Sequence, residues 1–221
     1  DYNFWKAKKS KAKVISVGNL SLGGSGKTPF AIALSRFLVS KNYSVGIVTT
    51  GHGRNNNNFL FGRSFLMENQ SWEEAGDEAV LLKNNLKEVP VYVSWRKKNK
   101  VDAANYLYEK KGCDIVILDD AFQHRKVDRD VDIVLTSSDA SLDSQKVFPY
   151  GLLREPVLGL KRADMIIETK GNLFNKNNGD QNRFVLHWNF NDRLLMPNDE
   201  TCSINVLEKY SNILSLCAIG D

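Results

Sequence analysis

Gly23-Gly24-Ser25-Gly26-Lys27-Thr28 separates an apolar, β-branched run, Val14 to Val17, from a helix-like run, Phe30 to Leu38. Few folds accept that succession. A buried strand must deliver the chain into a glycine loop, and a helix must leave it at once. The product is a phosphate cradle, because glycines let backbone N–H groups turn toward an anion and the helix start adds the positive end of its dipole. In such a loop Lys27 reaches the β- and γ-phosphates and the Thr28 hydroxyl ligates Mg²⁺. The usual spacing also asks for a glycine at the position of Ser21, so the pattern is incomplete there. The plain alternative is a Gly-rich turn between strand and helix.

Further short apolar runs follow. Ser44–Thr50, Val89–Val93, Asp114–Asp119, Val131–Leu135 and Ala163–Thr169 read as strands, and segments near Gly76–Leu86 and Lys98–Lys110 read as helices. This alternation implies an α/β fold: a P-loop NTPase-like, mostly parallel sheet with helices on both faces. Ligands of such sheets gather at the carboxyl ends of the strands. Composition shifts to Asn and Gly from Lys170 to Arg183. A boundary is placed there, giving a P-loop domain over 1–170 and a smaller, incomplete α/β unit over 171–221. Strands of that unit are expected at Arg183–Asn189 and Ile213–Ile219.

The chain has 221 residues, 42% hydrophobic and 25% charged, enough to bury a core. No apolar run reaches bilayer-spanning length, and no secretory leader is visible. Three cysteines without Cys-x-x-Cys spacing argue against disulfides and a zinc site and for a reducing compartment. Net charge is a modest +4, part of it in Lys6, Lys8, Lys9, Lys11 and Lys13 beside Tyr2, Phe4 and Trp5. That start reads either as a membrane-surface segment or as a solvated lead-in to the first strand.

Asp119 and Asp120 close the apolar strand Ile115–Leu118, where a P-loop enzyme holds Mg²⁺; a turn or cap after a strand is the alternative. Asp77 stands at a helix start, where aspartate commonly caps N–H groups. Arg154-Glu155 before Pro156 reads as a local ion pair, and Arg96 follows a strand that would aim it toward a ligand. His124, close behind Asp120, fits a structural role as well as a catalytic one. His187 reads as packing, and Trp72, Trp95 and Trp188 as core or rim residues.

Taken in order, Ser16–Pro29, Gly76-Asp77-Glu78, Ile117-Leu-Asp-Asp-Ala-Phe-Gln-His-Arg125, Leu152-Leu-Arg-Glu-Pro156 and Lys161-Arg-Ala-Asp164 resemble the tetraacyldisaccharide 4'-kinase (lipid A 4'-kinase) family of Gram-negative bacteria. The resemblance implies a membrane-associated kinase that moves the ATP γ-phosphate to the 4'-hydroxyl of a tetraacyldisaccharide 1-phosphate. It implies ATP and Mg²⁺ as cofactors, and Gly23, Gly24, Ser25, Gly26, Lys27 and Thr28 as the nucleotide loop. Thr28, Asp119, Asp120 and Glu155 would form the metal set. Asp77, Asp120 and Lys27 would be catalytic, and Arg96, His124 and Arg154 would line the site. The implied partners are the lipid A disaccharide precursor and the cytoplasmic face of the inner membrane, with no nucleic acid and no obligate protein partner. The family's Ser-Arg-Gly-Tyr-Gly loop stands here as Thr49-Thr50-Gly51-His52-Gly53, and its hydrophobic N-terminal helix and the histidine that works with its aspartate are not found in this sequence. A P-loop nucleotide switch or metallochaperone-type NTPase is the alternative from another class, and a membrane-surface binding module is a third reading.

Overall fold

The computed structural model describes residues 7–51, 64–94, 100–136, 146–169, 182–186, 193–195, 200–203, 205 and 209. Its centre is β1 (Lys13–Asn19), flanked in parallel by β5 (Ile115–Asp119) and β6 (Val131–Thr136). On one side the sheet continues through β2 (Val45–Thr49), β4 (Val91–Val93) and the short β3 (Phe65–Leu66). On the other it continues through β7 (Met165–Glu168) and β8 (Arg183–Val185). The order is β3-β4-β2-β5-β1-β6-β7-β8, and only β3 runs antiparallel to its neighbour. The β8 strand, expected to open the second unit, pairs with β7, so the sheet continues past residue 170. The boundary itself and the Ile213–Ile219 strand lie outside the described residues. A separate antiparallel pair joins β9 (Arg193–Leu195) and β10 (Thr201–Ser203).

The strands are apolar on both faces because helices cover both. Val17, Ile47 and Ile117 face one layer, with Ala31 and Ile32 from α1 (Lys27–Ser40) and Leu82 from α3 (Asp77–Asn85). Their neighbours Val48 and Leu118 face the other, with Val101, Ala104 and Leu107 of α4 (Lys100–Lys111). The period of two along each strand thus divides one apolar run between two cores. A third cluster, Leu20, Phe122, Val134, Leu153 and Leu160, lies where β1 ends and ties the 146–162 segment to the sheet.

The boundaries differ from expectation at informative places. The first helix starts at Lys27 rather than near Phe30, because Gly26 takes a left-handed conformation (φ 75°) and the Phe30 N–H already bonds the Gly26 carbonyl. A four-residue helix, α2 (Trp72–Ala75), precedes α3 and is held by a reciprocal Ser71–Glu74 capping box. Neither α2 nor β3 shows a periodic signal in sequence; both are too short to carry one. At the basic start, Lys11 and Lys13 pair with Glu109 and Asp130, at the end of β1 away from the glycine loop. Among the described residues no helix is long and apolar enough to cross a membrane.

Candidate active site

β1 and β5 run side by side with Val17 opposite Asp119, so the glycine loop and the two aspartates leave the sheet together. The loop is braced from inside by Asn19. This residue is fully buried, and its amide donates to the Ser21 carbonyl (2.7 Å) and, at the limit, to that of Gly23 (3.5 Å). Gln123 braces the same point, its amide donating to the Asn19 carbonyl at 2.8 Å. Ser21, where the common spacing would have glycine, forms a bridge with Leu153 instead.

The start of α1 is built for an anion. No side chain caps it, and its first turn holds no acidic residue but does hold Lys27. A cation beside the positive end of a helix dipole is unfavourable for the isolated helix. The uncapped N–H groups and the Lys27 ammonium therefore complement a phosphate from one direction. Ser25 is buried, and its Oγ has no hydrogen-bond partner among the described residues.

Asp120 lies at φ 48°, a left-handed conformation uncommon outside glycine, which aims its carboxylate back at the loop. Arg154 donates to both its oxygens (2.7 and 2.9 Å), and the Lys27 Nζ stands 3.8 Å away. Burial alone would raise the Asp120 carboxyl, but the Arg154 hydrogen bond and the Lys27 and Arg154 charges outweigh it and hold the group below the usual range. Asp119 behaves oppositely. It is 1% exposed, and burial, reinforced by the Glu78 charge, pushes its carboxyl up to about 7 against the pull of Lys100. One Asp119 oxygen accepts the Asp120 N–H at 3.0 Å, while the other, Oδ2, is buried with no hydrogen-bond partner among the described residues.

Lys100, at the start of α4, is completely buried, and its ammonium donates to the Asp119 main-chain carbonyl at 2.7 Å. Its position in sequence gives no hint of this, since a lysine opening a helix is ordinarily solvated. Across the loop, α3 forms the facing wall of a cleft of about 750 Å³, lined by Gly23 to Thr28 on one side and by Trp72, Asp77, Glu78, Leu81 and Asn84 on the other. Asp77 is exposed, and its Oδ1 accepts the N–H of Glu78 at 2.8 Å; the cap position of α3 belongs to Gly76, and no side chain caps that helix. Trp72, 58% exposed, is at the rim.

The structure thus brings Lys27, Asp120 and Arg154 into one ion-paired group and sets Asp77 in the same cleft as the loop. Glu155, expected among the metal ligands, gives both oxygens to Arg162 (3.0 and 2.9 Å), with Gln123 3.3 Å from one of them. Charge pairing takes it because Arg162 is anchored over the Phe122 ring, 4.6 Å from its centroid. His124 is buried in the turn after β5, where its main-chain N–H donates to the Ala121 carbonyl. Arg96, His187, Trp95, Trp188 and the loop from His52 onward lie outside the described residues. Arg154→Gln, which removes the fork from Asp120, is expected to raise that carboxyl's titration point and to cost about 1–3 kcal/mol of stability. Carboxyl-detected NMR titration and chemical denaturation measure the two effects, and an unmoved Asp120 would refute the assignment.

A parallel sheet with a glycine loop, an uncapped helix start and an acidic strand end defines a P-loop nucleotide-binding protein. The family model for tetraacyldisaccharide-1-P 4'-kinase matches residues 1–221, and the chain belongs to that family. It is 36% identical over 185 residues to the tetraacyldisaccharide 4'-kinase of Syntrophus aciditrophicus, covering 81% of this chain and 48% of that protein. The enzyme of the same name from Aquifex aeolicus is 40% identical over 169 residues, covering 76% and 51%. A crystal structure of LpxK from Aquifex aeolicus in complex with ATP superposes with a TM-score of 0.75 at 32% identity, over 93% of this chain and 63% of that one. The chain spans about half the length of the curated relatives it matches. Family membership leaves the nucleotide-switch and metallochaperone readings unfavoured.

Proposed function

We propose that this chain carries the catalytic nucleotide site of an ATP-dependent kinase that phosphorylates the 4'-hydroxyl of a tetraacyldisaccharide 1-phosphate in lipid A biosynthesis, at the cytoplasmic face of the inner membrane. One observation supports it most: the phosphate loop and the exposed Asp77 carboxylate share a single cleft. The family and the ATP bound to the Aquifex aeolicus relative point the same way.

The loop N–H groups, the Ser25 hydroxyl and Lys27 bind the β- and γ-phosphates. The residues fit Mg²⁺: among the described residues the Asp119 Oδ2 is buried without a hydrogen-bond partner, on the strand next to the one that delivers the loop, and Thr28 lines the phosphate-loop cleft. Mg²⁺ is characteristically held by one or two carboxylates and substrate phosphates, and when bound it neutralises charge on the β- and γ-oxygens. Arg154 fixes Asp120, and Asp120 in turn positions the Lys27 ammonium. Asp77 accepts the acceptor's hydroxyl proton. The hydroxyl oxygen bonds the γ-phosphorus, the bond to the β–γ bridging oxygen breaks, and ADP leaves. Catalysis is then mostly positioning and charge compensation.

Radiolabelled ATP and the disaccharide 1-phosphate acceptor, supplied to the full-length protein, should yield a labelled lipid. Lys27→Ala should abolish the label. No transfer under conditions where a known 4'-kinase works would sink the proposal.

A further inference from the structure

Residues 146–154 form a tight turn beside the phosphate loop. Val147 bridges Leu153, the Phe148 N–H donates to the Leu153 carbonyl, and a Cβ at Gly151 would collide with the Lys146 carbonyl, so the turn is closed by its own backbone. Leu153 is buried in the cluster with Leu20 and Leu160, which anchors the base. The Leu22 N–H, one residue before the glycines, donates to the Leu152 carbonyl at 2.6 Å. Despite this anchoring, the tip turns its largest apolar side chains outward. Phe148 is 66% exposed, Tyr150 85% and Leu152 61%, and Leu158 on the adjoining 3-10 helix is 69% exposed.

We propose that this turn is a bilayer-insertion tip that seats the phosphate loop on an anionic phospholipid surface. Isolated exposed apolar residues need no explanation, but four of them on one braced segment do. The segment is basic as well as apolar: 146–162 holds Lys146, Arg154, Lys161 and Arg162 against Glu155 alone. Lys146 and Lys161 are exposed and enter no ion pair among the described residues. Aromatic rings and flanking cations are what the headgroup region of an anionic leaflet selects. A second protein copy fits less well, since a stable interface needs about 800 Å² per partner and a narrow turn offers far less. An acyl chain would need a groove, whereas these side chains sit on an exposed tip.

The purpose of the tip rests on the lipid-kinase reading, but its test does not, because the vesicles contain neither ATP nor acceptor. The full chain is sedimented with vesicles of phosphatidylethanolamine and phosphatidylglycerol, and in parallel with vesicles of phosphatidylcholine alone. The parent should bind the anionic vesicles, and the variant carrying Phe148→Ser, Tyr150→Ser and Leu152→Ser should partition about tenfold more weakly or worse. Tyr150→Ser alone, at the most exposed position, should shift partition in the same direction. Lys146→Gln with Lys161→Gln should lose the preference for anionic over zwitterionic vesicles. Binding of a non-hydrolysable ATP analogue should be unchanged in every variant. A parent that ignores vesicles overturns the proposal, as do serine variants that bind like the parent. So does a serine variant that loses self-association in ultracentrifugation while keeping its vesicle binding. Kinase activity without vesicle binding would refute the tip alone, and vesicle binding without transfer would refute the kinase reading alone.

Discussion

Asp77→Asn is expected to lower turnover by about 10²–10⁴-fold, the usual contribution of a general base, while ATP affinity stays close to that of the parent. The substitution separates two roles the residue could fill. Asp77 opens α3, and its Oδ1 accepts the Glu78 N–H at 2.8 Å. Asparagine keeps that acceptor oxygen and nearly the same shape, so the helix start survives. What it removes is the negative charge and the ability to take a proton. The lost charge weakens a favourable contact with the helix dipole by about 0.3–1 kcal/mol, a small shift in melting temperature. A residue that served only the helix start would show that small shift and unchanged turnover.

ATP affinity is the second readout. Asp77 faces the phosphate loop across the cleft but belongs to the opposite wall, and no hydrogen bond links it to Lys27, Thr28 or Asp120 among the described residues. Its removal leaves the Asn19 brace and the Arg154–Asp120–Lys27 group in place. Single-turnover kinetics with saturating ATP, paired with titration of a non-hydrolysable analogue, separate loss of chemistry from loss of binding. A variant that binds ATP tenfold more weakly and turns over normally would move Asp77 from the acceptor to the nucleotide.

The sheet was legible in the sequence because every central strand is a short apolar run, and each run lies within one or two residues of where it was expected. The loop was legible because its chemistry is local: six consecutive residues carry it. The surroundings of the aspartates were not. Lys100 meets the Asp119 carbonyl across 19 residues, and Glu78 acts on Asp119 from another helix. Neither relation has a periodic or compositional trace. Arg154 and Glu155, adjacent in sequence, read as a pair, yet each chooses a partner elsewhere: Arg154 takes Asp120, and Glu155 takes Arg162. Tertiary geometry decides between a neighbour and a better-aligned distant group, and no dipeptide encodes that choice. The apolar tip escaped for a related reason. Phe148, Tyr150 and Leu152 look like core residues until the backbone of the turn points them outward.

Asp119→Asn is expected to stabilise the ligand-free protein at neutral and alkaline pH and to remove the Mg²⁺ dependence of nucleotide binding. Burial, then the Glu78 charge, lifts the Asp119 carboxyl to about 7, well above its unfolded value. Between about pH 4 and pH 7 the folded chain therefore holds a proton that the unfolded chain has released, so stability falls as pH rises through that window and levels off above it. The parent's melting temperature should decline from about pH 5 to pH 8 relative to the variant's, because asparagine has no charge to bury. Asp120 does not blur the comparison: its carboxyl is held below the usual range and stays ionised across the window. The same burial ties the residue to its proposed role. A carboxylate kept at this cost, with Oδ2 unpartnered among the described residues, is destabilising alone and becomes favourable only when a cation compensates it. Nucleotide with Mg²⁺ should then bind the parent with proton release below about pH 7, seen as a dependence of the calorimetric heat on the buffer's ionisation enthalpy. The variant should release none. Equal pH dependence of melting in the two proteins, or proton release surviving in the variant, would place the metal-facing carboxylate elsewhere, with Asp120 the next to substitute.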